Sequence, residues 1–268
     1  MVSIFIRTYE GDIEWLRYCL LSIHRNLVGW DEIVICIPKG QESKLAGLIT
    51  TERVVLSPNY KDDYIGQQIS KLQSFRHIQG DFVLFVDSDL IFHPCANIAN
   101  YFRDGKPVIL KESYDRLVAR HPKLKMARWQ KVVAKIFNEV PRYEYMRRAP
   151  QLFYRTTLEN LHQAFPGLEA YAIRQPKRLF SEFNILGFYV EKHEASNYAL
   201  IDLEQEAFPA NPSTQHKSWL GITPETFAQL VKHGIADIEN PPDFRKPPAF
   251  SVYRRILGRV FRNSIKQL

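Results

Sequence analysis

The chain has 268 residues, enough for one large domain or two small ones, with 45% hydrophobic and 24% charged residues. No apolar run is long enough to span a bilayer, so a transmembrane helix is not expected. The net charge of +7 is local: Arg245, Lys246, Arg254, Arg255, Arg259, Arg262 and Lys266 carry it without a single acid in residues 245–268, leaving 29 basic and 29 acidic residues elsewhere. That segregation argues against the uniformly basic surface of a nucleic-acid binder.

Val2 to Arg7 is a short apolar run rich in β-branched residues and predicts a strand, with a loop at Thr8-Tyr9-Glu10-Gly11-Asp12. Ile13 to Asn26 places Trp15, Leu16, Cys19, Leu20 and Ile23 at helical spacing. Asp31 to Pro38 predicts a second strand, Glu42 to Ile49 a helix, Arg53 to Leu56 a third strand and Asp62 to Ile78 a helix. Phe82 to Val86 is continuously apolar, as buried parallel strands are. Strands and helices therefore alternate over the first ninety residues, which implies a parallel α/β sheet whose ligands bind at the carboxyl ends of its strands.

The second half is less regular. Val108 to Lys111 predicts a strand, residues 121–148 a basic helical stretch with Trp129, Val132, Val133, Ile136 and Phe137 on one face, and Thr156 to Phe165 a helix. Phe180 to Val190 reads as a loop entering a strand, residues 204–220 are polar, and Pro241-Pro242 and Pro247-Pro248 mark a linker. Cys19, Cys36 and Cys95 are far apart, an odd count that suits reduced thiols in the cytosol. The first residues lack the basic region and cleavage site of a signal peptide.

The sharpest local signal is Asp87-Ser88-Asp89 at the end of the Phe82 strand. Glycosyl transfer from a nucleoside diphosphate leaves a dianionic diphosphate, which a hard divalent cation held by carboxylate oxygens stabilises. Alone, the tripeptide is equally a loop or a helix cap. Its place after a buried strand in an alternating α/β chain favours the metal–diphosphate reading. A haloacid-dehalogenase fold puts the same pattern on its first strand with Gly or Thr soon after, whereas Leu90-Ile91-Phe92 follows here.

Three further segments carry a resemblance: Gln67-Gln68-Ile69-Ser70-Lys71-Leu72 ahead of the Asp-Ser-Asp strand, Pro150-Gln151-Leu152-Phe153-Tyr154-Arg155, and Ser181-Glu182-Phe183-Asn184-Ile185-Leu186-Gly187. With them the chain resembles glycosyltransferases of the GT-A type, in particular a poorly characterised bacterial branch, over residues 1 to about 220. The resemblance implies a GT-A-like Rossmann-type sheet with flanking helices over residues 1–240. Within it, residues 1–110 form the nucleotide-binding half and 111–240 the acceptor half. It also implies that Thr8, Tyr9 and Asp12 grip the base and ribose of a UDP- or GDP-type sugar donor. Gln68 and Lys71 share a helix face, and Lys71 reaches the diphosphate or the sugar edge.

Asp87 and Asp89 then hold Mn²⁺ or Mg²⁺ with Ser88 between them. His216 completes the shell ahead of its rival His93, and Lys217 pairs with phosphate. Glu182 is the expected catalytic base of an inverting transfer, with its pKa raised by aromatic neighbours. The acceptor is a hydroxyl of a surface glycan or a lipid-linked oligosaccharide. Residues 251–268, which follow the linker in the segment 241–268, predict a C-terminal amphipathic helix. One face carries Tyr253, Ile256, Leu257, Val260, Phe261 and Leu268, the other Arg255, Arg259, Arg262 and Lys266. Such a helix reads as an anchor on an anionic membrane, and so as a cytoplasmic protein peripheral to the inner face of the cytoplasmic membrane. Two other functions share features with this one. A nucleotidyltransferase also pairs carboxylates on a metal, but Arg7-Thr8-Tyr9-Glu10-Gly11 makes a poor phosphate loop. A non-catalytic assembly protein on a transferase fold would not need Asp87, Asp89 and Glu182 together.

Overall fold

A computed structural model of the chain describes residues 1–121, 128–176, 179–239, 241–242 and 244. Strand β1 (Val2–Arg7) runs into helix α1 (Ile13–Asn26), the short strand β2 (Leu27–Val28), and β3 (Glu32–Pro38). Next come β4 (Arg53–Ser57), helix α2 (Asp63–Leu72) and β5 (Phe82–Asp87). These strands pair in the order β5-β1-β3-β4, all parallel. The antiparallel β11 (Gln151–Tyr154) closes the β5 edge.

All six residues of β1 are buried, because the strand is covered on both faces. Ile4 and Ile6 pack with Leu16, Cys19, Leu20 and Ile23 of α1 on one side. Phe5 packs on the other with Phe85, with Ile65 and Ile69 of α2, and with helices α5 (Arg155–Ala164) and α7 (Glu182–Tyr189). Each such side chain taken fully out of water contributes about 1.5–3 kcal/mol. The chain moves outward from β1 through β3 to β4, then returns to place β5 on β1's other side. The strand order reverses between β1 and β5, and the crevice beyond their carboxyl ends is where such sheets bind ligands.

Beyond β5 the chain forms β6 (Leu90–Phe92), β7 (Ala96–Asn97), β8 (Phe102–Arg103), β9 (Lys106–Ser113), α3 (Tyr114–Arg120), α4 (Arg128–Phe137) and β10 (Tyr143–Glu144). After α5 come α6 (Leu168–Ile173), α7, β12 (Ala199–Asp202), β13 (Ser213–Gln215) and α8 (Pro224–Lys232). A second sheet joins β10, β9 and β12. Strand β13 lies antiparallel on β6, with Gln215 opposite Leu90, which lays the late segment along the residues that follow Asp87.

Several expectations need correction. Within residues 180–190, where a loop entering a strand was expected, Glu182–Tyr189 form helix α7. This helix is buried on every side, so it lacks the polar face that gives a helix its period. Gly187 permits that burial: a Cβ there would lie 2.3 Å from the Tyr145 ring. Residues 42–49 hold only a 3-10 turn, Glu42–Leu45, ended by Gly47 at φ +74°. The helix expected over 62–78 stops at Leu72 and continues as a 3-10 turn, Ser74–Arg76. Of the basic stretch 121–148, residues 128–137 are helical and 143–144 are strand, while 122–127 lie outside the described residues. The predicted amphipathic helix 251–268 also lies outside them. Among the described residues, no helix is long and apolar enough to cross a membrane.

Candidate functional site

Strands β1 and β5 end in register, Arg7 beside Asp87, so the segments 8–12 and 87–89 emerge side by side at one edge of the sheet. Asp87 is the last residue of β5. The Lys71 ammonium reaches it from α2, with Nζ donating to Asp87 Oδ1 at 2.7 Å and to Glu182 Oε1 at 3.0 Å. Lys71 and Glu182 expose only 5% and 6% of their side chains and Asp87 exposes 30%, so the ion triad opens to solvent on the Asp87 side. Burial works against the ammonium, but the Asp87 and Glu182 carboxylates outweigh it and hold the Lys71 pKa above the ordinary lysine value. The ammonium also lies 4.7 Å from the centre of the Phe183 ring.

Glu182 is the first residue of α7, where the helix dipole favours a carboxylate. Ser181 caps this helix, accepting the Asn184 backbone N–H at 3.3 Å. The Gln68 side-chain oxygen Oε1 accepts the Glu182 backbone N–H, also at 3.3 Å. Gln68 and Lys71, three residues apart on α2, thus hold the main chain and the carboxylate of the same residue. Glu182 is thus ion-paired to Lys71, a partner the sequence did not suggest for it.

Two more carboxylates crowd the same edge. Asp12 accepts from the Ser88 hydroxyl at 3.2 Å, and Asp89 accepts the Ser218 backbone N–H at 3.1 Å. Burial pushes the Asp12 pKa up to about 6, against the help of hydrogen bonds from Ser218 and Ser88, and the charge of Asp87 adds to the rise. Burial and then the Asp87 charge push Asp89 up to about 7. Both carboxyls thus resist ionising where they stand.

The fully buried Arg7 guanidinium spans the mouth of β1, donating to Asp63 Oδ1 and to the Thr8 carbonyl. The buried Thr8 hydroxyl has no hydrogen-bond partner among the described residues. Tyr9 is half-buried and lines a cavity of about 740 Å³ with Tyr60, Lys61, Asp62, Asp63 and Gln67. Its phenol is pushed up to about 12, by burial first and then by Asp12 and Asp63.

His216 is tied to this edge by its main chain, whose N–H donates to the Asp89 carbonyl at 2.8 Å, while its ring stacks on Trp15 at 5.1 Å. Burial, then His93 and His233, lower its pKa, which favours the neutral ring. Lys217 is exposed. His93 bonds Thr214 and stacks on His233. Among the described residues, no three His, Cys, Asp or Glu side chains stand together as a metal-ligand set. The structure gathers Asp12, Asp87, Ser88, Asp89, Gln68, Lys71 and Glu182, sets Tyr9 on the adjoining cavity, and leaves the His216 ring on Trp15.

Sequence reasoning missed three contributors. Arg7 had a signal, a charged residue ending an otherwise apolar strand. Gln215, whose amide donates to Asp87 Oδ2 at 2.8 Å, and Ser218 had none, since only the pairing of β13 with β6 brings them over the motif. The chain matches no protein-family model and none of the curated proteins with which it was compared.

Proposed function

We propose that the protein is a metal-dependent glycosyltransferase of the GT-A type. It would move a sugar from a UDP- or GDP-type donor to a hydroxyl of a surface glycan or lipid-linked acceptor. The observation that carries this reading is the gathering of Asp12, Asp87, Asp89 and the Lys71–Glu182 pair at the switch point of the parallel sheet.

The residues fit a hard divalent cation, Mn²⁺ or Mg²⁺. Asp12 and Asp89 are carboxylates whose burial, with the charge of Asp87 beside them, resists ionisation, and a nearby divalent charge would relieve both effects. Asp87 and Asp89 would hold the ion, with His216 as the proposed third ligand. When bound, the ion neutralises the charge that builds on the departing diphosphate. Ser88 orients Asp12 through its hydroxyl. Tyr9, which lines the 740 Å³ cavity, would stack on the base, and Thr8 and Asp12 would meet the ribose. Lys71 would turn from the carboxylates to the diphosphate or sugar edge as the donor enters, and Lys217 supports the phosphates from the solvent side.

In the reaction the acceptor oxygen attacks the anomeric carbon, and the bond from that carbon to the phosphate oxygen breaks with its electron pair. Glu182 takes the acceptor proton. In the unliganded protein the contact with Lys71 fixes the direction of the Glu182 carboxylate. Attack opposite the leaving diphosphate inverts the anomeric centre. The basic amphipathic segment 251–268 would dock the enzyme on an anionic bilayer that presents the acceptor.

Calorimetric titration with UDP and GDP, with and without Mn²⁺, tests the donor half. One nucleotide should bind, and Asp87→Asn should lose the metal dependence. Binding of neither counts against the proposal. A chain ending at residue 244 should lose affinity for anionic vesicles, and full retention rejects the membrane role.

A further inference from the structure

A second concave site lies outside the carboxylate cluster. Asn100, Phe102, Arg103, Asp104, Arg148 and Phe208 line a cavity of about 400 Å³, within the size range of ligand pockets. The Arg148 guanidinium lies 4.3 Å from the Tyr101 ring centre and 4.9 Å from that of Phe208. One of its nitrogens, Nη1, donates to the Asn100 carbonyl at 3.1 Å. Its Nε is buried without a hydrogen-bond partner among the described residues. Arg103 shares the Phe208 ring at 5.6 Å but is already paired with Glu206 at 2.7 Å. Asp104 is the one acid in the lining, and it sits exposed in a turn at φ +51°.

A guanidinium withdrawn from water normally has a carboxylate to compensate it, because an unpaired buried charge is costly. Arg148, partly buried, instead has the Tyr101 and Phe208 rings, the Tyr101 hydroxyl, one carbonyl and an open cavity. Its fork of N–H groups matches a planar carboxylate or a phosphate. Phe102 and Phe208 line the same cavity and give it apolar surface for the C–H groups of a ring ligand. The loop is held in place rather than free: Asn211 and Ser213 both donate to the Ala149 carbonyl, beside Arg148. Burial lowers the Arg148 pKa, and the Tyr101 hydroxyl offsets only part of that.

We propose that this cavity binds an oxyanion carried on a sugar, a carboxylate or a phosphate, with Arg148 as the receiving cation and Arg103 at the rim. Its lining shares no residue with the carboxylate site, so the inference stands whether or not the transferase reading does.

Binding of glucuronate, glucose 6-phosphate and glucose to the full chain, followed by calorimetry and ligand-observed NMR, tests it. At least one acidic sugar should bind about tenfold or more tighter than glucose, as charge-assisted hydrogen bonds require. The tighter of the two identifies carboxylate or phosphate as the source. Arg148→Met should reduce the acidic sugar to the affinity of glucose, and Arg103→Met should weaken it a few-fold. Equal binding of all three sugars, no binding of any, or full affinity in Arg148→Met overturns the proposal. If Arg148→Met fails to fold by circular dichroism, Arg103→Met decides: weakened binding supports the site and unchanged binding rejects it.

Discussion

Replacing Lys71 by Met keeps the length of the side chain and removes its charge. In the structure that charge sits 2.7 Å from Asp87 Oδ1 and 3.0 Å from Glu182 Oε1, with Lys71 and Glu182 almost fully buried. Removing one member of a buried pair costs about 3–5 kcal/mol, because the other charge is left uncompensated. Here the cost falls mainly on Glu182, since Asp87 is partly exposed and also bonds Gln215. The variant should therefore lose about 3–4 kcal/mol at pH 8. The loss has a definite pH dependence. An orphaned carboxylate holds its proton more tightly in the folded than in the unfolded state. It therefore weakens the fold at high pH and ceases to do so once protonated, so the deficit should shrink by pH 5. Asp12 and Asp89 act in both proteins and cancel in the comparison. Urea unfolding at the two pH values measures the difference, and adding Glu182→Gln to the Lys71→Met variant should recover most of it. A Lys71→Met variant within about 0.5 kcal/mol of the parent at pH 8, or one that loses more at pH 5 than at pH 8, refutes the ion-triad argument.

Asp89→Asn should stabilise the protein in chelator at pH 8. Moving the carboxyl from 3.8 to about 7 corresponds to about 4 kcal/mol as a ceiling, and the carbonyl of Asn still accepts from Ser218. With its folded pKa raised, Asp89 contributes stability that is present below about pH 4 and lost as pH rises through about 7. The chelated parent should thus gain stability between pH 8 and pH 5, and the Asn variant should gain less. Unfolding curves that are parallel in pH contradict this. Glu182→Gln keeps the Lys71 hydrogen bond but cannot take a proton, so kcat should fall about 10²–10⁴-fold with donor affinity little changed. A loss confined to KM would assign Glu182 to binding alone. Gly187→Ala drives a methyl into the Tyr145 ring and should cost about 1–3 kcal/mol by denaturant titration. Full stability would show that Tyr145 yields freely.

The first half of the fold was legible because its buried elements carry strong patterns. Helix α1 runs over Ile13–Asn26 as its spacing predicts, and strands β1 and β5 occupy the two apolar runs that their composition marks. Helix α7 was not legible, since a segment buried on all sides has neither the alternation of a strand nor the stripe of a surface helix. The three short motifs were legible as separate segments. Their meeting was not: Lys71 and Glu182 are 111 residues apart, and only the packing of α2 against the start of α7 joins them. Gln215 and Ser218 escaped notice for the same reason. Their roles depend on the register of β13 on β6, which a three-residue strand hardly encodes.

The central claim concerns a metal and a diphosphate at Asp87 and Asp89, and nucleotide release tests it most directly. The purified full chain would be incubated with a panel of UDP- and GDP-sugars, with Mn²⁺ or with chelator, and free nucleoside diphosphate measured over time. The account predicts slow hydrolytic release from at least one donor that requires the metal and vanishes in Asp87→Asn and Asp89→Asn. Release from no donor, or release equal in chelator and in both variants, would contradict it.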